Sequence, residues 1–228
     1  MATRRGRRAA WGQWLSWATL GALVLGLTLG LGSSRAFDSA RVMASAQRLG
    51  PATVQRAQAV MQVINAASRV KEDARLALIN DHFNEHIAYR DDAETWGVVD
   101  YWASPLEMLA KGQGDCEDYA IAKYFSLIAS GVPSAKMRLV YVRAQTGGTI
   151  QAHMVLAYYP YPNAEPLILD NLVDAIHPAS ARPDLTPVFS FNAEGLWQGV
   201  TGASAGDPSA RLSKWRELIG KAKAEGWW

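Results

Sequence analysis

The stretch Gly112-Gln113-Gly114-Asp115-Cys116-Glu117-Asp118 decides how the rest of the sequence is interpreted. An apolar segment follows it and ends at Ser130-Gly131, with Pro133 just beyond, which predicts a glycine-containing loop leading into a buried helix. Cys116, the one cysteine of the chain, would begin that helix. Backbone N–H groups and the helix dipole at such a position favour a thiolate and can bind a developing oxyanion.

The segments around this central helix change their periodicity along the chain. Apolar residues recur at helical spacing in three segments before it and one at the end: 39–50, 53–67, 71–89 and 208–225. Ser104-Pro105 begins a further short helix. Short runs of β-branched and aromatic residues predict four strands: 137–143, 153–159, 166–170 and 188–191. Helices followed by an antiparallel sheet predict an α+β domain.

The first 36 residues have the pattern of an export signal. Arginines at 4–8 precede an uncharged run from Ala9 to Ser34, and Ser34-Arg35-Ala36 places small residues before a cleavage point at Phe37. The alternative is an uncleaved anchor, because the uncharged run is long enough to span a bilayer. We therefore predict a signal peptide or N-terminal membrane anchor at 1–36 and one exported domain at 37–228.

The charge balance of the chain excludes one class of function. The formal net charge is +2, but five of the 23 basic residues lie before residue 37, where there is no acidic residue. The domain at 37–228 has the remaining 18 basic residues and all 21 acidic residues, so its net charge is near −3. A nucleic-acid binder should keep basic charge in its folded part, and this domain does not.

Cys116, His153 and Asp170 form a candidate catalytic set. His153 and Asp170 belong to neighbouring segments of the predicted antiparallel sheet, which could bring them together over Cys116. The imidazole would take the thiol proton, and the carboxylate would orient and stabilise the imidazolium.

Four segments of the sequence resemble bacterial transglutaminase-like cysteine proteinases of the LapG type. The specific segment is 112–124, with Gly114-Asp115-Cys116-Glu117-Asp118-Tyr119-Ala120 at its centre. Segments 101–105, 152–156 and 167–171 fit the same pattern in the same order. The resemblance implies a papain-like/transglutaminase-like fold, with Cys116 as nucleophile, His153 as base and Asp170 as orienting acid. It also implies that the protein is an endopeptidase.

The acidic neighbours of the nucleophile raise a physical problem. Asp115, Glu117 and Asp118 flank Cys116, and their negative charges would raise the pKa of the thiol. A bound cation would offset those charges, and clustered carboxylate oxygens suit Ca²⁺. The resemblance implies a calcium site at these three residues. The alternative is that Asp115 is a helix cap and the other two are first-turn acids favoured by the dipole.

The resemblance implies a biological setting as well. It implies a periplasmic enzyme whose substrate is a large cell-surface adhesin, cut near its N-terminal anchor so that a biofilm is released. It further implies an inner-membrane cyclic di-GMP receptor that sequesters the protease.

Other functions remain open on the residues alone. The same catalytic set could serve a transglutaminase or an amidase, and the fold could act as a non-catalytic binding module. His82, Glu85 and His86 match the H-x-x-E-H pattern of a zinc protease. Trp102, shortly before the nucleophile loop, is a candidate substrate-binding residue, with core packing as the alternative.

Overall fold

Helices make up the first part of the described chain. The computed structural model describes residues 37–200 and 202–228, so the predicted signal peptide or anchor at 1–36 lies outside the described residues. Three helices come first: α1 (Ser39–Leu49), α2 (Pro51–Ala67) and α3 (Glu72–His86). Asp38 caps α1 by accepting a hydrogen bond from the Arg41 N–H. Each helix buries an apolar face, which draws the three into one core.

A two-stranded parallel ribbon then forms beside the nucleophile loop. The chain continues through β1 (Ala88–Tyr89), α4 (Asp92–Thr95), α5 (Pro105–Lys111), β2 (Gln113–Gly114) and α6 (Cys116–Ala129). Tyr89 pairs with Gly114, so the residues just after α3 lie beside those just before Cys116. A capping box between Ser104 and Glu107 begins α5, as the Ser-Pro pair predicts.

The second half of the chain is a six-stranded antiparallel sheet. Its strands are β3 (Met137–Thr146), β4 (Thr149–Tyr158), β5 (Leu167–Leu169), β6 (His177–Pro178), β7 (Leu185–Phe191) and β8 (Leu196–Gln198). Their order across the sheet is β6-β5-β4-β3-β7-β8. Two short helices, α7 (Pro208–Arg211) and α8 (Ser213–Glu225), close the chain. Helix α6 packs against β3 and β4.

The main hydrophobic core lies between the helices and one face of the sheet. It joins Phe83 of α3, Phe125 of α6, Leu156 of β4 and Trp215 of α8, all of which are fully buried. A smaller cluster around Val142 and Val155 covers the opposite face. Because α6 is buried among these elements, its first residue is held firmly against the sheet.

The predicted α+β order is confirmed, with differences at the ends of elements. Helix α3 ends at His86 and the chain turns into β1, whereas the periodicity predicts a helix to 89. Strand β4 begins at Thr149, directly after the hairpin turn at Gly147-Gly148. His153 therefore lies inside the strand, whereas the sequence pattern places it at the first residue. The predicted closing helix breaks at Leu212. The described residues contain no helix that is long and apolar enough to cross a membrane.

Candidate active site

Cys116 is presented by a loop whose glycines have definite roles. Gly112 ends α5 with φ 67°, a left-handed conformation that glycine adopts readily. At Gly114, an added Cβ would lie 2.7 Å from Oδ2 of Asp118, so only glycine leaves room for that carboxylate. The loop thus leaves space for the Asp118 carboxylate, which lies with Cys116 in the first turn of α6.

The Cys116 sulfur contacts a carboxylate on one side and strand β4 on the other. Its thiol donates a hydrogen bond to Oε2 of Glu117 at 3.0 Å, and the backbone N–H of Met154 donates to the sulfur. Burial and the charge of Glu117 raise the pKa of the thiol. Across the residues that the structure describes, the sulfur makes no hydrogen bond to the His153 imidazole, although Met154 is the next residue along the strand.

His153 and Asp170 form a buried, hydrogen-bonded pair. Nε2 of His153 lies 2.7 Å from Oδ1 of Asp170, which leaves Nδ1 as the ring nitrogen available to a thiol. The same Oδ1 accepts from the N–H groups of Asn171 at 2.7 Å and Leu172 at 3.1 Å. Burial alone would raise the pKa of Asp170, but its bonds to His153, Leu172 and Arg182 outweigh burial and lower it to about 2.

A buried lysine ties the nucleophile helix to the backbone of Asp170. Nζ of Lys123, two turns along α6 from Cys116, donates to the Asp170 carbonyl at 2.9 Å. It also donates to the side-chain oxygens of Asn80 at 2.8 Å and Asn84 at 2.7 Å, both on α3. Burial lowers the pKa of Lys123 to about 7. Asp170 is therefore fixed against both helices.

Three further carboxylates gather beside the nucleophile, and we call Asp92, Asp115 and Asp118 the acid cluster. One oxygen from each lies within 4.8 Å of the others, and all three side chains are buried. Each has a buried oxygen without a hydrogen-bond partner: Oδ1 of Asp92, Oδ1 of Asp115 and Oδ2 of Asp118. Glu117 borders the cluster, because its carboxylate groups with Asp92 and Asp100 and also with Asp115 and Cys116.

The acid cluster is electrostatically unbalanced. Burial, followed by the charges of Glu117, Asp118 and Asp92, raises the pKa of Asp115 to about 9. Burial also raises the pKa values of Asp118 and Asp92. Asp115 stands at the N-cap of α6, but its side chain makes no capping bond. Unpaired, converging carboxylate oxygens in a buried site fit a hard divalent cation and argue against the helix-cap interpretation.

The predicted site residues divide into two groups in space. His153 and Asp170 come together directly, whereas Asp115 and Glu117 gather with Cys116 and Asp118 gathers with Asp115. The sequence interpretation missed Asp92, which enters the acid cluster only because β1 pairs with β2. It also missed Lys123, although this residue lies in the 112–124 segment, and Arg182, which lies in no segment that the resemblance marks.

Trp102 packs against the hydrophobic core, and the H-x-x-E-H motif lies at the end of α3. The Trp102 ring stacks on Phe191 at 5.5 Å and packs against the core, so its substrate-binding role stays a prediction. His82 and His86 stack on each other at 4.7 Å. Over residues 37–200 and 202–228, none of the groups of three potential ligands includes His82, Glu85 or His86. A catalytic zinc site needs three protein ligands, so the H-x-x-E-H pattern is not completed there.

Comparison with known proteins places this geometry in a family. The family model described as bacterial transglutaminase-like cysteine proteinase (BTLCP) matches residues 51–185. That match contains Cys116, His153 and Asp170 as well as the acid cluster. No curated protein sequence matches the chain.

Solved structures of LapG from Legionella pneumophila share the fold. An EGTA-treated form is 44% identical, with a TM-score of 0.72, over 82% of this chain and 98% of that one. A calcium-bound form is 43% identical, with a TM-score of 0.71, over 81% of this chain and 98% of that one. A third LapG structure is 42% identical, with a TM-score of 0.71, over 82% of this chain and 98% of that one.

Proposed function

The chain belongs to the bacterial transglutaminase-like cysteine proteinases, and from that premise we propose that it is a calcium-dependent endopeptidase with Cys116, His153 and Asp170 as its catalytic triad. One observation carries the assignment of residues. His153, which is buried and bonded to Asp170, lies in β4, and the next residue of that strand, Met154, donates its N–H to the Cys116 sulfur.

The reaction begins with proton transfer. Nδ1 of His153 takes the thiol proton while Asp170, through Oδ1, stabilises the imidazolium. The thiolate attacks the peptide carbonyl carbon, and free backbone N–H groups in the first turn of α6 can stabilise the oxyanion. The imidazolium gives its proton to the leaving amine, which departs and leaves a thioester on Cys116. Water then attacks the thioester with His153 as base, which releases the new carboxyl terminus and regenerates the thiol.

The acid cluster, with Glu117 beside it, is the part of the chain that would hold calcium. Bound calcium supplies positive charge that offsets the carboxylates around the thiol. The chain's own contribution is the placement of the ligands: Gly114 leaves room for Asp118, and the Tyr101 N–H holds the other oxygen of Asp92. The calcium-bound and EGTA-treated LapG structures, at 43% and 44% identity, support this assignment.

We extend the proposal to substrate, partner and location on the resemblance to this family. The substrate is a large cell-surface adhesin that is cut near its N-terminal anchor, which promotes biofilm release. An inner-membrane cyclic di-GMP receptor sequesters the protease, and the enzyme acts in the periplasm after export through residues 1–36. The near-complete coverage of the LapG chain, 98%, supports a shared function of the whole domain.

The test is a cleavage assay with defined controls. The purified protein is incubated with an N-terminal fragment of the same organism's surface adhesin, with Ca²⁺ or with EGTA. We expect cleavage only with Ca²⁺, and none for Cys116→Ala, which should bind calcium normally. Cleavage by Cys116→Ala would sink the thiol mechanism.

The same assay separates the alternatives. A transglutaminase would incorporate a labelled amine without releasing a fragment. An H-x-x-E-H zinc protease would be inhibited by phenanthroline despite added calcium and would keep full activity in Cys116→Ala.

A further inference from the structure

The two oxygens of the Asp170 carboxylate have different partners. Oδ1 is hydrogen-bonded to Nε2 of His153 and accepts hydrogen bonds from the backbone N–H groups of the next two residues, Asn171 and Leu172. Oδ2 accepts from Nη2 of Arg182 at 2.7 Å. The Asp170 side chain has 0% exposure and that of Arg182 has 4%, so this contact is shielded from solvent. Arg182 is the one hydrogen-bond donor to Oδ2 within the described residues.

Arg182 is itself held rigidly. Its Nε lies 3.0 Å from Oδ1 of Asp184, and its Nη2 lies 2.8 Å from Oδ2 of the same residue. Its backbone N–H donates to the Ala179 carbonyl at 3.0 Å. The segment between β6 and β7 thus delivers a planar, permanently charged group to the far side of the triad acid.

This arrangement constrains the rotation of a carboxylate. Without a donor on Oδ2, a buried Asp170 would leave one oxygen unpaired, and the carboxylate plane could turn about its χ2 angle away from the imidazole. The two oxygens are chemically equivalent, so a half-turn changes nothing, but with the guanidinium in place any smaller rotation weakens the bonds to both His153 and Arg182. The guanidinium therefore fixes the plane in which the carboxylate holds Nε2 of His153, and this keeps Nδ1 free for the thiol.

We propose that Arg182 is a positioning residue of the protease, which locks the Asp170 carboxylate so that His153 is held in the productive orientation toward Cys116. The proposal rests on the proposed protease function. Arg182 acts through Asp170 and touches neither the nucleophile nor the substrate.

The surroundings of Arg182 allow an unusually direct test. Arg182 lines a cavity of about 100 Å³ on the outer face of the sheet, together with apolar residues that include Val142, Val155 and Ile168. Truncation to alanine would extend this cavity to Oδ2 of Asp170. A small guanidinium ion can then occupy the place of the missing side chain.

The experiment compares Arg182→Ala with the wild-type chain in the presence of calcium. Because Cys116 is the one cysteine, its alkylation by iodoacetamide can be followed by mass alone. We expect the alkylation rate and kcat for cleavage to fall roughly 10- to 100-fold, the equivalent of one lost charged hydrogen bond, with KM changed by less than about twofold. Guanidinium ion, far below denaturing concentrations, should restore part of both rates, whereas neutral urea should not.

Matched variants separate positioning from stability. Arg138→Ala removes a half-buried guanidinium from strand β3, which donates to the Val200 carbonyl at 2.9 Å, and should leave the alkylation rate unchanged. Asp184→Asn keeps the Arg182–Asp170 contact and should lower the rate less than Arg182→Ala. If Arg182→Ala does not fold, Arg182→Lys carries the test, because a lysine cannot bridge both carboxylates and should again lower kcat without raising KM.

Several results would overturn the proposal. They are wild-type rates of alkylation and cleavage in Arg182→Ala, recovery with urea equal to that with guanidinium, or a loss confined to KM or to calcium binding. Failure of the wild-type chain to cleave any adhesin fragment would count against the proposed function instead. In that case the alkylation rates would still decide the role of Arg182.

Discussion

Two groups of buried carboxylates serve the candidate active site, and they differ in how the chain balances their charge. Asp170 accepts hydrogen bonds from His153, Arg182 and two backbone N–H groups, and its pKa is lowered to about 2. The acid cluster has three buried oxygens without partners, and the pKa of Asp115 is raised to about 9. Both groups are buried, so burial alone does not explain the difference.

The comparison shows which part of the site is complete by itself. The chain supplies its own cation, Arg182, to Asp170, whereas within the described residues no cation forms an ion pair with Asp92, Asp115 or Asp118 and Lys214 pairs with the neighbouring Asp100. Buried charges without partners cost several kcal/mol, so an arrangement like the acid cluster is stable only if it is protonated or binds a cation. Asp170 is therefore held in place by the chain itself, and under the proposed function the acid cluster is where a bound ion would control activity.

Removal of calcium should have the largest effect. We expect EGTA to reduce cleavage to background and excess Ca²⁺ to restore it. Mg²⁺ should not restore it, because Mg²⁺ demands near-ideal octahedral geometry that a helix turn does not readily offer. Cleavage assays across a calcium titration would measure this, and undiminished activity after thorough chelation would remove the distinction between the two carboxylate groups.

Asp170→Asn should lower kcat by about 10³- to 10⁴-fold, the order known for loss of a triad carboxylate, because the amide no longer stabilises the imidazolium. Calcium affinity should not change, since Asp170 is not part of the acid cluster. Steady-state kinetics and calorimetry on the same preparation would check both statements. A parallel loss of calcium binding would show that the two groups are not independent.

Asp118→Ala and Asp92→Asn should show the opposite behaviour. We expect calcium affinity to fall at least about tenfold, because a ligand charge is lost, and activity to fall with it, with recovery at high calcium. Asp91→Asn is the matched control, since this exposed neighbour bonds the Tyr89 hydroxyl at 3.0 Å and lies outside the cluster. A normal calcium titration in both Asp92 and Asp118 variants would contradict the assigned ligands.

Lys123→Met should destabilise the fold by about 1–3 kcal/mol, because it leaves oxygens of Asn80 and Asn84 without their charged donor. Urea unfolding at fixed calcium would give the change in free energy. Lys136→Met provides a comparison, since its ion pair with Glu72 is about one-third exposed and should contribute less. Equal losses in the two variants would show that the buried network adds no special stability.

Glu225 is a milder case of an unbalanced carboxylate and should give the smallest effect. Burial raises its pKa to about 7, while Ser104 donates to one of its oxygens. The folded state therefore holds this proton more tightly than the unfolded state. Its stabilisation is full below about pH 4.5 and is lost as the pH rises through about 7. Glu225→Gln should remove about 1–2 kcal/mol of that pH dependence in unfolding experiments between pH 5 and 8; an unchanged slope would contradict the raised pKa.

Sequence reasoning reached the local features of the site because short-range signals specify them. The glycine loop, the apolar helix after Cys116 and the Ser104-Pro105 helix start are each encoded within a few residues, and all of them form. Strand β4 is found at the predicted place but begins at Thr149, because the polar–apolar alternation of residues 149–152 continues the strand back to the Gly147-Gly148 turn. The pairing of His153 with Asp170 follows from neighbouring antiparallel strands, which a pattern of short strands can indicate.

Local sequence patterns were enough to predict the α+β order of elements, the candidate catalytic residues in their chain order and the acidic residues beside Cys116. Only long-range folding brings Asp92 to Asp115 and Asp118, Lys123 to the Asp170 backbone and Arg182 to the Asp170 carboxylate. The physical reason is range: caps and periodicity act over a few residues, whereas these contacts form only when the β1–β2 ribbon and the segment before β7 fold against the core. The balance of charge in a buried site is set by such distant partners.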